Sequence, residues 1–261
     1  DDSAPTVTLA TSASSIAENA GSSLTLTATL SIATTADVTV ALSTSGTGTE
    51  GTDYSTISDI TISAGATTGT ASFTPTDDSI YEGNETGIVA ISTVSGGSAT
   101  EDGTQSVTIT ITENESAPTI TLATSASSIA ENAGSSLTLT ATSSIVTDED
   151  ITVSISTSGT GTEGTDYSTI SDITISAGQT TGTATFTPTD DSVYEGNETG
   201  IVAISTVSGG SATEDGTQSV TITITENESA PTVVLTSSTS SITENAGSSL
   251  TLTATLSVAT T

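Results

Sequence analysis

Residues 22–31 read SSLTLTATLS, and within that run Leu24, Leu26, Ala28 and Leu30 occupy every second position with Thr between them. A period of two puts all four apolar side chains on one face of an extended chain, and Thr itself favours strands. The run therefore predicts a half-buried β-strand. The same alternation recurs outward from it, at Val38, Val40 and Leu42, at Ile60 and Ile62, at Val89 and Ile91, and at Val107, Ile109 and Ile111. Clusters of Gly, Ser, Asn and Asp separate these runs, and none of them has helical spacing. Strands are expected at about 6–17 with a break, 23–31, 37–44, 59–63, 69–76, 87–94 and 106–112. Pro75 and Pro188 fall at a strand end, where a missing N–H is tolerated. About seven antiparallel strands of this kind bury their apolar faces in a two-sheet sandwich, so the fold class is all-β.

The pattern is reiterated. Pro5, Pro118 and Pro231 are each 113 residues apart, as are Asp53 and Asp166. Solenoid repeats run to about 20–50 residues, whereas 113 matches a domain with its own core. The chain divides into a first repeat, 1–113, a second, 114–226, and the opening of a third, 227–261. The first two differ most where TLSIATTADVTVAL at 29–42 becomes TSSIVTDEDITVSI at 142–155, which reads as a recent duplication.

Composition narrows the function. The 261 residues include 31 Asp and Glu and no Lys, Arg, His or Cys, so no carboxylate has a cationic side chain to pair with. Phosphate recognition needs Lys or Arg, which excludes nucleic acid, and an anionic membrane surface is excluded likewise. No run approaches the roughly 20 apolar residues of a membrane span, and the chain reads as starting in mid-array, with secretion inferred from other features. Leu, Ile, Val and Phe make up 52 of 261 residues. That is near the level at which a charged chain fails to fold, and it is the alternation that argues for a core. With no His, Cys or Lys, little remains for catalysis. A pair of carboxylates acting as a glycosidase is set aside because the same acids recur in every repeat.

Strand parity sorts the acids. If successive strands run up and down, Glu18, Glu50, Asp53, Asp77, Asp78, Glu82, Glu85, Glu113 and Glu115 all gather at one pole of the first repeat. Uncompensated carboxylates at that density repel one another unless a cation sits among them. Ca²⁺ takes six to eight oxygens and suits such a cluster better than Mg²⁺, which demands strict octahedral geometry. Asp148, Glu149 and Asp150, in the diverged loop of the second repeat, would face this pole and add ligands. Tyr54, Tyr81, Phe73 and their counterparts read as core or loop plugs.

The segment GTEGTDYSTISDITISAGATTGTASFTPTDDSIYEGNET, residues 48–86, resembles a Calx-β domain, as does the earlier SIAENAGSSLTLTATLS, 15–31. The resemblance covers essentially all of each repeat and implies an immunoglobulin-like sandwich with Ca²⁺ at its distal loops. The ligands it implies are Glu18, Asp53, Asp78, Glu82 and Glu85, with Glu113 and Glu115 in an acidic linker. One period on they are Glu131, Asp166, Asp191, Glu195, Glu198, Glu226 and Glu228. Ser79 and Asn84 stand where strong binders of the family often carry Asp, Asn114 interrupts the acidic linker, and Gly87 replaces a strand aromatic. Asp1 and Asp2 align with Asn114 and Glu115.

The expected function is a calcium-stiffened spacer or filament of a long extracellular, bacterial surface protein, an adhesin or a biofilm matrix fibre, and not an enzyme. Its expected partners are neighbouring repeats of the same chain, with lateral self-assembly into fibres as a variant. The alternatives are a glycan- or receptor-binding module and a regulatory calcium sensor. Asp78→Ala and Glu82→Ala are expected to mimic chelation, and Asp59→Ala is not.

Overall fold

Leu24 to Leu30 forms the middle of a sheet in a computed structural model that describes residues 3–260. Asp1, Asp2 and Thr261 lie outside the described residues, and with the first two lies the expected match to Asn114 and Glu115. The chain forms two compact units, one of residues 1–117 with 145–148, the other of residues 118–144 with 149–261.

The first unit runs β1 (Thr6–Thr11), β2 (Ser15–Ala17), β3 (Leu24–Leu30), β4 (Val38–Gly46), β5 (Ile60–Ile62), β6 (Thr68–Phe73), β7 (Ile80–Tyr81), β8 (Glu85–Ser95), β9 (Thr100–Glu101) and β10 (Ser106–Thr112). One sheet has the order β6-β3-β1-β9 and the other β2-β10-β8-β4-β5. The fold is the all-β sandwich that the alternation predicts. Two features depart from seven antiparallel strands. The break after Thr11 carries the chain from one sheet to the other, where β2 pairs with β10 in parallel, and β9 pairs in parallel with β1. β7 and β9 are two residues long, too short to show a period.

The buried face of each strand carries the alternating residues, among them Val7, Leu26, Val38, Val40, Ile60, Ile62, Val89 and Ile109. Burying each such side chain contributes about 1.5–3 kcal/mol, which is how a chain this polar holds a core. Near the acidic end the Tyr54 and Phe73 rings stack with centroids 4.6 Å apart. Gly87, on the facing strand, explains the missing aromatic. A Cβ there would lie 2.6 Å from Cε2 of Phe73, so the ring occupies the space a side chain would need. Gly87→Ala is expected to cost about 1–3 kcal/mol by overpacking, read as a lower midpoint in urea with unchanged slope.

In the second unit the sandwich repeats strand for strand, with sheets ordered 181–186, 137–143, 119–124, 213–214 and 128–130, 219–225, 198–208, 151–159, 173–175. The third repeat contributes Val233–Ser237 antiparallel to Leu252–Leu256. Val233, Leu235 and Leu252 are more than half exposed there, although their equivalents Val7, Leu9 and Leu26 line the first core.

Short parallel pairs complete both units. Val146–Thr147 pairs with β7 in the first, through Val146 opposite Ile80 and Thr147 opposite Tyr81. In the second, Ala259–Thr260 pairs with Val193–Tyr194 in the equivalent register.

Candidate metal centre

Four acidic residues of the first unit reach the acidic end from strand termini, where direction and register fix them. Glu18 follows β2, Glu85 opens β8, and Glu113 and Glu115 leave β10. Asp53 comes from the loop between β4 and β5, and Asp78 and Glu82 flank β7. Two triads result. Carboxylate oxygens of Glu18, Glu113 and Glu115 lie within 4.8 Å of one another, and so do those of Asp53, Glu82 and Glu85. The second unit repeats both, as Glu131, Glu226 and Glu228, and as Asp166, Glu195 and Glu198.

The structure distributes the remaining acids differently. Asp78 lies outside the triads; its N–H donates to Glu18 Oε1 at 3.1 Å and its Oδ1 accepts from Ile80 N–H at 2.7 Å, and Asp191 repeats both bonds. Glu50 braces its own loop, accepting from the Thr44 hydroxyl at 2.7 Å and from Ile57 N–H at 2.6 Å. Glu163 does the same one period on. Of the three acids of the diverged loop, Asp148 belongs to the first unit, one residue beyond the pair with β7, and its charge acts on Glu82 and Glu85. Glu149 accepts from Gly210 N–H and Asp150 from Ala177 N–H, both in the second unit. Asn84 escaped the sequence reading as a functional residue. Its Oδ1 accepts from Glu113 N–H at 3.0 Å, tying the loop to the connection across 29 residues that share no local pattern.

Glu113 anchors the first triad. Its Oε2 accepts from Glu82 and Gly83 N–H at 2.7 and 2.8 Å, and its Oε1 from Asn114 and Glu115 N–H at 2.9 and 3.0 Å. Burial alone would raise its pKa, but these bonds and one from the Glu115 side chain outweigh it and hold the group below the usual range. In Glu226 the same backbone cradle brings the value to about 2. The carboxyls of Glu113 and Glu226 beside them push Glu115 and Glu228 up.

Five further glutamates have their charged form disfavoured. Burial raises Glu18 to about 7, assisted by the charges of Glu113, Glu115 and Asp78. Burial first, then neighbouring carboxylates, raises Glu82, Glu85, Glu131 and Glu198 to about 7 as well. Glu18 is only 6% exposed, which is a severe position for a charge with no cation nearby.

A hard divalent cation fits this donor set. All donors are carboxylate oxygens, the preference of Ca²⁺. Oε2 of Glu115 and of Glu228 is buried and has no hydrogen-bond partner among the described residues, an orphan acceptor in each unit at the place a cation would be held.

A model of the Calx-beta domain matches residues 1–115 and again 113–228. Among solved structures, the chain is similar to CBD12 from CALX1.2, at 13% identity over 83% of this chain and 99% of that one, with a TM-score of 0.38. It is also similar to calcium binding domain CBD12 of CALX1.1, at 12% identity over 80% and 95%, TM-score 0.36. A third is the adhesin InvE of Yersinia pseudotuberculosis, at 13% identity over 84% and 58%, TM-score 0.38. No curated protein matches the chain.

Proposed function

The chain belongs to the Calx-beta family over both complete repeats, and from that premise we propose that it is a calcium-stiffened spacer or filament segment of a long extracellular surface protein. One observation carries this reading: each unit places a carboxylate triad on the residues through which the chain leaves it, Glu113 and Glu115 in the first and Glu226 and Glu228 in the second. A cation held there by Glu18 or Glu131 fixes the exit segment to its own sandwich. A second cation, held by Asp53, Glu82 and Glu85 or by Asp166, Glu195 and Glu198, fixes the loops beside it. When bound, calcium supplies charge neutralisation and nothing catalytic. Asp78 and Asp191 contribute by positioning Glu18 and Glu131 through their N–H groups.

Reiteration at a fixed 113-residue interval supports length as the product, and a bacterial adhesin or matrix fibre is the setting we assign. Neighbouring repeats are its partners, with lateral assembly a property of the fibre. Direct glycan recognition has less support, because four of the six aromatics, Tyr54, Tyr167, Phe73 and Phe186, are at most 1% exposed, and Tyr81 and Tyr194 are half-buried. None of the described residues forms a helix long and apolar enough to cross a membrane.

Small-angle scattering of the chain tests the proposal. Calcium is expected to narrow the distribution of maximum dimensions and chelator to broaden it, and identical profiles in both would overturn the stiffening. The two units should also differ. Asp148 adds its charge beside Glu82 and Glu85, and the residue one period on is Thr261. Asp148→Asn is expected to weaken calcium binding to the first unit about three- to tenfold, roughly 1 kcal/mol, and to leave the second unchanged in a calorimetric titration.

A further inference from the structure

In each sandwich a strand near the start lies beside the last strand and points the same way. β2 pairs in parallel with β10, through Ser15 opposite Thr110, Ile16 opposite Ile111 and Ala17 opposite Thr112. One period on, Ser128–Ala130 pairs with Ser219–Thr225 likewise, Ser128 opposite Thr223 and Ala130 opposite Thr225. Main-chain bonds frame the seam. Thr110 N–H donates to Ser14 O at 2.9 Å and Glu18 N–H to Thr112 O at 3.0 Å, and Thr223 to Ser127 and Glu131 to Thr225 repeat them at the same distances. Ile16 and Ile111, like Ile129 and Ile224, are buried, which excludes the water that would otherwise take over these bonds.

Parallel direction decides how such a seam meets a pull. Tension along the chain draws β2 by its N-terminal end and β10 by its C-terminal end. In a parallel pair those ends lie at opposite ends of the seam, so the strands are forced to slide and all the bonds are strained together. In an antiparallel pair the same two ends would lie side by side, and the bonds would open one at a time. β1 stands ahead of β2 and takes the load first, through its pairs with β3 and β9; the seam takes it when β1 gives way.

One of the two triads closes this seam. Glu18 is the residue after β2 and Glu113 the residue after β10, and their carboxylate oxygens meet those of Glu115 within 4.8 Å. A cation held among them ties the ends of the two strands together. Sliding by one residue moves the strands about 3.3 Å past each other, more than the length of a Ca²⁺–oxygen bond at about 2.4 Å, so the slide breaks the tie. The other triad has no such place, since Asp53 lies between β4 and β5, Glu82 follows β7 and Glu85 opens β8.

We infer that each unit is built to bear tension, with the load falling on this parallel seam and on the clasp that closes it, Glu18, Glu113 and Glu115 in the first unit and Glu131, Glu226 and Glu228 in the second. The other triad serves the unloaded fold. The inference rests on the reading of the chain as a spacer held between two ends, and it divides two metal sites that a melting curve treats alike.

The test holds the chain by its two ends at constant force and reads the unfolding times of the two units, because forced unfolding follows the unfolding rate rather than the equilibrium stability. In calcium, Glu115→Ala with Glu228→Ala is expected to raise the loaded unfolding rate at least about tenfold, about 1.4 kcal/mol of barrier. Glu82→Ala with Glu195→Ala should raise it by much less, although both pairs of substitutions blunt the calcium response of the melting temperature. A second measurement leaves the ligands intact. The chain has no Cys, so Ser22→Cys provides a single attachment point, on the exposed turn just past β2 and Glu18. A pull between residue 22 and the C-terminus draws the C-terminal ends of β2 and β10, which lie side by side, and opens the seam of the first unit bond by bond. One of the two unfolding steps is then expected to quicken at least about tenfold against the chain held by its N-terminus, while the other keeps its rate. Equal effects from the two double variants, or two unchanged rates on moving the attachment, overturn the inference, and either result leaves calcium stiffening, read by scattering, to stand on its own.

Discussion

Removing calcium at neutral pH is expected to lower the melting temperature of both sandwiches by upwards of about 15 °C. A ligand that binds only the folded state adds about 4 kcal/mol per site at a thousand times its dissociation constant, and about 4–8 °C accompanies each kcal/mol in a domain near this size. The effect should be large because the metal-free fold carries a penalty of its own. Glu18 and Glu131 are at most 9% exposed, and the charges that act on them are those of other acids. Glu18→Gln separates the two contributions. Gln keeps an oxygen for Asp78 N–H and loses the charge, so the variant should gain less from calcium than the parent yet melt higher than the parent in chelator at pH 8. Glu82→Ala should also blunt the calcium response. Asp59→Ala is a control of a different kind from the one the sequence suggests. Asp59 Oδ1 accepts from Leu42 N–H at 3.1 Å, where β4 bulges between Ala41 and Leu42. Its loss should cost about 1 kcal/mol with or without calcium. Superimposable melting curves in calcium and chelator would sink the metal reading.

The second large effect is a reversal of pH dependence by calcium. Glu18, Glu82, Glu85, Glu131 and Glu198 are raised to about 7 in the metal-free fold, from an ordinary 4.5. A raised acid binds its proton more tightly folded than unfolded. Its contribution is therefore complete below about 4.5 and is lost as pH climbs through about 7. In metal-free buffer the melting temperature should fall between pH 5 and 8. Glu113 and Glu226 have the opposite sign, since their depressed values give stability above about 4.5 that is lost on acidification, for Glu226 towards about 2. Below pH 4 their loss opposes further gain and places a maximum near pH 4 to 5. With saturating calcium the ionised forms are the ligands, so the slope between pH 5 and 8 should turn positive. Melting curves at four pH values, with and without calcium, decide it; a metal-free curve that rises with pH contradicts the raised values.

Much of the fold was legible because it rests on short-range regularities. The alternation in residues 22–31 dictates a strand with one buried face whatever surrounds it, and the 113-residue period marks each sandwich as a unit. Strand parity was enough to gather Glu18, Asp53, Glu82, Glu85, Glu113 and Glu115 at one end, because up-and-down strands leave few ways to distribute their loops. It could not divide them into two triads or separate Glu50, spent on Thr44 and Ile57, from Asp53 a few residues away. Those distinctions turn on where each carboxylate finds its donors, which for Glu50 lie on β4 and in its own folded loop and for Glu113 partly in the loop around Glu82 and Gly83.

The sequence by itself determined that this chain is a reiterated all-β protein whose acids have no cation of their own, since periodicity and composition are properties of the chain before it folds. Only the tertiary structure decided which acids meet, that four backbone N–H groups hold the Glu113 carboxyl below its usual range while Asn84 accepts from the Glu113 N–H, and that two-residue strands link β7 to Val146–Thr147. Pairings of two residues carry no period, and a hydrogen bond across 29 or more residues leaves no mark in the sequence between its ends.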